Sequence, residues 1–376
     1  MERKPQLNKR VYGLDVFRAV AIILVVHGHG RFMLKGTPLQ NFPWIKLFDG
    51  VELFFVLSGF LIGTILIKLA EKNNFKLGVS DITVFWKRRW FRTLPNYYLV
   101  LFVNVLFVKY SIIDGDLQQY NLNFLFFLQN FNTPLVGFFW ESWSLSIEEW
   151  FYIFLPVSLF IIVKRIPSAK GVLTVILLLI LLPLLYRILH SGENVDPFGW
   201  DVNFRKVVLM RLDTIIYGVL AAYIKFYHKT FWEKYRVHSF VMGIIFIFII
   251  SNIDKEPNSF FAKTFYFNCV SIGAMLLLPF ADSIKNYRGT IGRAISHISL
   301  ISYSMYLINL GLVVQVISRN FPVINPINGF VKYIMYWLIV LICSTLLYSF
   351  FEKPIMNLRD KKLFSFRFLE KRLPRK

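Results

Sequence analysis

Solid apolar runs, not alternating ones, recur along this chain from end to end. They lie near residues 13–30, 50–70, 93–110, 145–163, 171–190, 206–224, 239–252, 263–281, 297–318 and 330–351. A helix needs about 20 residues to cross about 30 Å of hydrocarbon, so the pattern predicts about ten membrane-crossing helices. In lipid every backbone N–H and C=O needs an internal partner, so runs such as Val172–Leu185 read as helices. A β-barrel would instead show alternating segments of about ten residues. The run at 239–252 is short for a span, and Asn121–Phe131 is apolar but too brief to cross. The expected fold class is an all-α polytopic membrane protein, with 1–352 as one transmembrane domain and 353–376 as a basic cytoplasmic tail.

Composition agrees and narrows the class. The 376 residues are 56% hydrophobic and 17% charged, with a mean hydropathy of +0.53. A soluble domain is roughly 45–50% apolar and about 25% charged, so soluble and disordered classes are excluded. The formal net charge of +21 first suggests nucleic acid. Its distribution points elsewhere. With the N-terminus cytoplasmic, the inside loops are 1–12, 71–92, 164–170, 225–237, 282–296 and 352–376. They hold roughly 29 Lys+Arg against roughly 6 outside, the asymmetry of a topogenic excess. Both termini are therefore expected on the cytoplasmic side of the cytoplasmic (inner) membrane, with lipid as partner and no nucleic acid.

The ends and the cysteines add little chemistry. No small-residue cleavage site follows the first span, which therefore reads as retained. Cys269 and Cys343 fall inside expected helices and imply neither a disulfide framework nor a metal site. No soluble enzyme domain is expected beside the spans. The tail Lys361–Lys376 mixes Lys/Arg with Leu/Phe, which suits either anionic lipid at the inner surface or a solvated basic end.

Charges within spans are costly and are usually paired or functional. The first span holds Asp15, Arg18, His27 and His29. Arg18 and His29 fall within about 20° of one helical face, separated by about 16 Å along the axis. Asp15, one turn before Arg18, is placed to pair with it. Glu52 opens the second span, Glu148 and Glu149 the fourth, and Arg211-Leu-Asp213 the sixth. By topology these groups and His29 are expected at one depth in the outer half, where a His beside a carboxylate suits general-base chemistry. Lys87-Arg88-Arg89 and Arg92 lie at the inner side, and Arg89 and Arg92 at i, i+3 would put two guanidinium forks on one face, suited to phosphate or simply topogenic. Ser58 and Gly59 suit close helix packing. Asp114-Gly-Asp116 reads as a turn, and Trp140 and Trp143 as interfacial aromatics.

In this order, these residues resemble the integral membrane acyltransferase-3 family, the O-acyltransferases of bacterial glycans. The likeness rests on Leu14-Asp-Val-Phe-Arg18 followed by His29, an R-x10-H element. It continues through Gly50–Leu61, through Phe85–Pro95 with its R-x-x-R element, and through Trp143–Glu149. Arg211-Leu-Asp213, Ser302–Leu307 and Glu352-Lys-Pro354 complete the set. The resemblance implies an acyl group, commonly acetyl, taken from cytoplasmic acyl-CoA as co-substrate. The acceptor would be a hydroxyl of an extracytoplasmic or lipid-linked carbohydrate. It further implies His29 as the catalytic histidine, Arg18 as its partner in the motif, and Glu148 or Glu149 as assisting. Arg89 and Arg92, with Arg88 beside them, would hold the donor's phosphates; Glu52, Arg211 and Asp213 would support the substrate, and no metal is expected. Two positions depart from the family: Glu52 stands where Asp is usual, and Asn309 where many members have His. A transporter or flippase for a glycan or its lipid-linked precursor is the rival from another class, since intramembrane Arg, His and Glu also suit proton coupling. It lacks support from any inverted repeat.

Overall fold

A computed structural model describes residues 10–40, 49–253, 256–286 and 289–360; the expected tail 361–376 lies outside the described residues. Ten main helices follow one another: α1 (Tyr12–Gly30), α2 (Gly50–Lys72), α3 (Val79–Lys109), α4 (Ser142–Arg165), α5 (Ala169–His190), α6 (Val208–Tyr227), α7 (Arg236–Asn252), α8 (Tyr266–Ser283), α9 (Thr290–Ile308) and α10 (Pro326–Leu347). Eight of the helical segments are long and apolar enough to cross a membrane. Helix α6 forms a pair with Pro197–Arg205, bent by 63°, and α7 is a shorter apolar helix. No strand occurs among the described residues. The chain is an all-α polytopic membrane protein, as its apolar runs predict.

One boundary differs from expectation by far more than the others. Helix α3 begins at Val79 rather than near residue 93, and so carries Lys87–Arg92 within it. Its start is fixed locally: the Asp81 carboxylate accepts from the Gly78 N–H at 2.9 Å and from the Asn73 side chain at 3.0 Å. Charged residues are good helix formers, so a hydropathy boundary is not a helix boundary.

Contacts at both ends of each helix set the directions. Asp49, at the start of α2, meets Arg205 just before α6, while Tyr227 at the far end of α6 donates to Glu71. Helices α2 and α6 are thus parallel. Helix α9 is parallel to α1, because Ser299 meets Asp15 and Asn309 meets His29. Helix α10 is antiparallel to α1, because the Tyr336 hydroxyl meets the Val26 carbonyl while Gly329, earlier in α10, packs on Met33 just past the end of α1. His29, Glu52, Arg211 and the start of α4 therefore share one end of the bundle.

Small residues let backbones touch. A Cβ at Gly59 would stand 1.8 Å from the Ile215 carbonyl oxygen, and one at Gly218 would stand 2.0 Å from that of Val56. Within lipid such close contact replaces the hydrophobic drive for helix association. Gly59 has the packing role expected of it. Gly13 does the same for α1 against α8, lying 1.9 Å on the same measure from the Ala281 carbonyl oxygen.

Gly59→Val should therefore force α2 from α6. Overpacking typically costs about 1–3 kcal/mol, and a backbone carbonyl yields less than a side chain, so the upper end is expected. Gly192→Ala, which meets nothing within 4 Å, should be neutral. Thermal unfolding in detergent measures both, and equal melting of the two variants would overturn the account.

Candidate active site

Two cavities penetrate the bundle. The larger, about 560 Å³, opens at the His29 end between α1, α2, α7 and α8, and His29, Asp49, Glu52 and Arg205 line it. His29 is the penultimate residue of α1, and its Nδ1 stands 2.5 Å from Asn309 Oδ1. Glu52 receives a hydrogen bond from Arg211 at 2.5 Å; Arg211 is fully buried, its guanidinium 3.9 Å over the Phe267 ring. The other Glu52 oxygen, Oε2, is buried without a partner. Asp49 caps α2 by accepting from the Val51 N–H and pairs with Arg205 at 2.6 Å. Burial pushes the Asp49 carboxyl upward, but Arg205 and the Val51 N–H outweigh it and hold the group below the usual carboxylate range. Arg205 also lies 5.0 Å over the Trp143 ring and bonds Asp201 at 2.9 Å.

The second cavity, about 100 Å³, runs deeper between α1, α2, α3, α4 and α9. Arg18, Arg89, Arg92 and Glu148 line it, together with Tyr152 and Tyr303. Tyr152 donates to Glu148 at 3.3 Å, and its carbonyl accepts from the Trp86 indole at 2.7 Å. Ser58 turns its hydroxyl toward Tyr152 at 3.3 Å. Three guanidinium groups from two helices around one hollow form an anion-receiving arrangement. Val51 lines both cavities.

The predicted residues divide between these places. Arg18, Arg89, Arg92 and Glu148 come together in the deeper cavity, and His29 and Glu52 in the outer one. Arg211 reaches the outer cavity through Glu52. Arg88 lies on α3 beside Arg89 and does not line the cavity. Glu149 turns away and accepts from Thr93 at 2.7 Å. The structure thus places neither Glu148 nor Glu149 at His29. Helix α4 starts at Ser142, and at 1.5 Å per residue Glu148 lies about 9 Å below that start. Asp213 also stands apart: with Asn268 it receives the fully buried Arg187, at 2.6 Å, and so ties α5, α6 and α8 together. Asp15 bonds Arg10 at 2.5 Å and accepts from Ser299. Trp143 is buried, not interfacial, and packs edge-on against Phe55.

Several site residues escaped the sequence reading. Asn309 registers there only as a departure from the family, yet it is the partner of His29. Asp49 and Arg205 carry signals, a cap residue before an apolar run and a cation in a loop set where Lys and Arg are few, but their pairing spans 156 residues. Glu141 is the carboxylate at the start of α4. Its Oε1 accepts from the Gly311 N–H at 3.0 Å, and its Oε2 is buried without a partner. Burial pushes Glu141 up to about 7, against the hydrogen bonds from backbone N–H groups that favour its charged form.

The profile of the acyltransferase-3 family, described as an acyltransferase domain, matches residues 11–350. The chain belongs to that family. It is 27% identical over 308 residues to the peptidoglycan O-acetyltransferase OatA of Listeria monocytogenes, covering 69% of this chain and 46% of that protein. It is 26% identical to YrhL of Bacillus subtilis, a provisionally named peptidoglycan O-acetyltransferase, covering 94% of this chain and 56% of the relative. A provisionally named O-acetyltransferase of Staphylococcus aureus is 27% identical over 91% of this chain and 56% of its own length. The chain spans about half the length of these curated relatives. No solved structure matches it.

Glu141 makes stability depend on pH. Unfolded, it titrates near 4.5; folded, it keeps its proton up to about 7. Between these values the folded state binds more protons, so stability falls as pH rises through the interval and is level above it. Glu141→Gln keeps the acceptor for Gly311 and removes the titration. Its melting temperature should exceed that of the parent more at about pH 8 than at about pH 5; a constant difference would overturn the assignment.

Proposed function

We propose that this chain is a membrane O-acyltransferase that moves an acyl group, most simply acetyl, from cytoplasmic acyl-CoA to a hydroxyl of an extracytoplasmic carbohydrate. The observation that carries this reading is the pair of cavities, one lined by guanidinium groups and one by His29, with Val51 on both. Family membership supports the reaction class, and the names of the relatives support a peptidoglycan sugar as acceptor. The excess of Lys and Arg in one set of loops supports placing the end opposite His29 in the cytoplasm.

In this scheme the donor's phosphates meet Arg89 and Arg92, and the thioester extends past Val51 toward His29. The acceptor hydroxyl enters the larger cavity, where the partnerless Glu52 Oε2 offers it an acceptor. His29 takes the hydroxyl proton as the oxygen attacks the thioester carbonyl carbon. The C–S bond breaks, an O-ester forms, and the thiolate leaves as CoA, regaining a proton from His29. General-base assistance of this kind is typically worth about 10²–10⁴ in rate. Asp49, Glu52 and Arg205 on the walls of the hollow, with Arg211 behind Glu52, supply fixed charges for orienting polar hydroxyls.

His29→Ala should abolish release of free CoA thiol from acetyl-CoA and glycan, while the protein stays inserted and monodisperse. Product at the parental rate would overturn the assignment. Arg92→Gln should raise KM for acetyl-CoA about 10–100-fold, the loss expected of a hydrogen bond to a charged group, with kcat little changed. Val51→Phe should cut transfer while leaving CoA binding, measured by calorimetry, near the parental value; unimpeded transfer would show that the acyl group takes another route.

A further inference from the structure

Asn309 is fully buried at the start of a π-helical segment, Asn309–Val314, that continues α9. Its side-chain nitrogen donates to the carbonyl oxygens of Met305 and Tyr306, each at 2.8 Å. Those two bonds use both hydrogens of the amide. The flipped amide would press its oxygen on two carbonyl oxygens, so the network fixes the orientation. Oδ1 therefore faces the His29 ring, 2.5 Å from Nδ1. The Tyr336 hydroxyl, which donates to the Val26 carbonyl at 3.0 Å, stands 3.5 Å from the same oxygen.

An amide oxygen has no proton to give, so the proton in this contact belongs to His29 Nδ1. Neutral imidazole carries one N–H, and Nε2 is left with its lone pair. We propose that Asn309 is a positioning residue that holds His29 as the Nδ1–H tautomer and keeps Nε2 free to accept the acceptor's proton. The inference rests on the reading of His29 as general base. A histidine base is commonly oriented by a carboxylate, which both sets the tautomer and steadies the imidazolium. A neutral amide does the first and not the second. The charge that forms on His29 during transfer is then left to the ionised groups around the cavity: Asp49 and Glu52, set against Arg31 and Arg205 on the same walls and Arg211 already bonded to Glu52.

Nitrogen-15 NMR of histidine-labelled protein in nanodiscs tests this directly. The chain has six histidines, and subtracting the His29→Ala spectrum isolates the signal. Wild-type protein, above the titration of His29, should show the proton on Nδ1; a proton on Nε2 overturns the proposal, whatever the fate of any variant. Asn309→Leu should shift the signal toward the Nε2–H form and lower kcat for acetyl transfer about a hundredfold, with KM for acetyl-CoA unchanged. Parental kcat in that variant also overturns it. Full activity in His29→Ala would instead sink the general-base reading while leaving the tautomer assignment to stand on the spectrum.

Discussion

The bond between Arg211 and Glu52 is the constraint on which the His29 end of this protein depends. A guanidinium with no solvent exposure must be met by charge or it destabilises the fold by several kcal/mol. Glu52 meets it at 2.5 Å, Thr214 accepts at 3.0 Å, and Phe267 covers its face. Because the partners sit in the first turns of α2 and α6, the pair locks the starts of two parallel helices in register. The small residues farther along, Gly59 and Gly218, can then bring the two backbones together. The wall of the larger cavity is a by-product of that alignment.

A second charged knot works alongside it. Arg187 reaches Asp213, Asn268 and the carbonyls of Met210 and Thr264, joining α5, α6 and α8 without lining either cavity. Intramembrane charge here thus serves two purposes. Arg187 and Asp213 assemble helices, whereas Arg18, Arg89 and Arg92 face an open hollow. What each guanidinium faces separates the two, and sequence position does not. Three π-helical segments punctuate the described bundle, and Asn309 and Glu352 lie within two of them. Such bulges often mark functional sites because they turn a side chain out of the helical register.

The helices were legible in the sequence because lipid allows a solid apolar run only one regular form. The bend before α6 and the early start of α3 were not, since both depend on caps and on contacts with neighbouring helices. The same split holds for the site. His29, Arg18, Arg89 and Arg92 announce themselves as costly residues in or beside spans. Which carboxylate faces which cation did not follow, because that depends on the depth and rotation at which α4 packs against its neighbours. Asn309 was the least legible: an amide carries no charge to explain, and only the two carbonyls that fix it reveal its use.

Val51 bears on a matter separate from acyl transfer. A membrane that stores an ion gradient must stay insulating wherever a protein crosses it. Val51 lies on the walls of both hollows, and in the proposed arrangement, with the hollows opening to opposite sides, its side chain forms part of the partition between them. An apolar, β-branched side chain there offers no hydrogen-bond relay for protons, and its stiff χ1 torsion keeps it in place. In the proposed arrangement the partition across which donor and acceptor meet is therefore also part of the electrical seal.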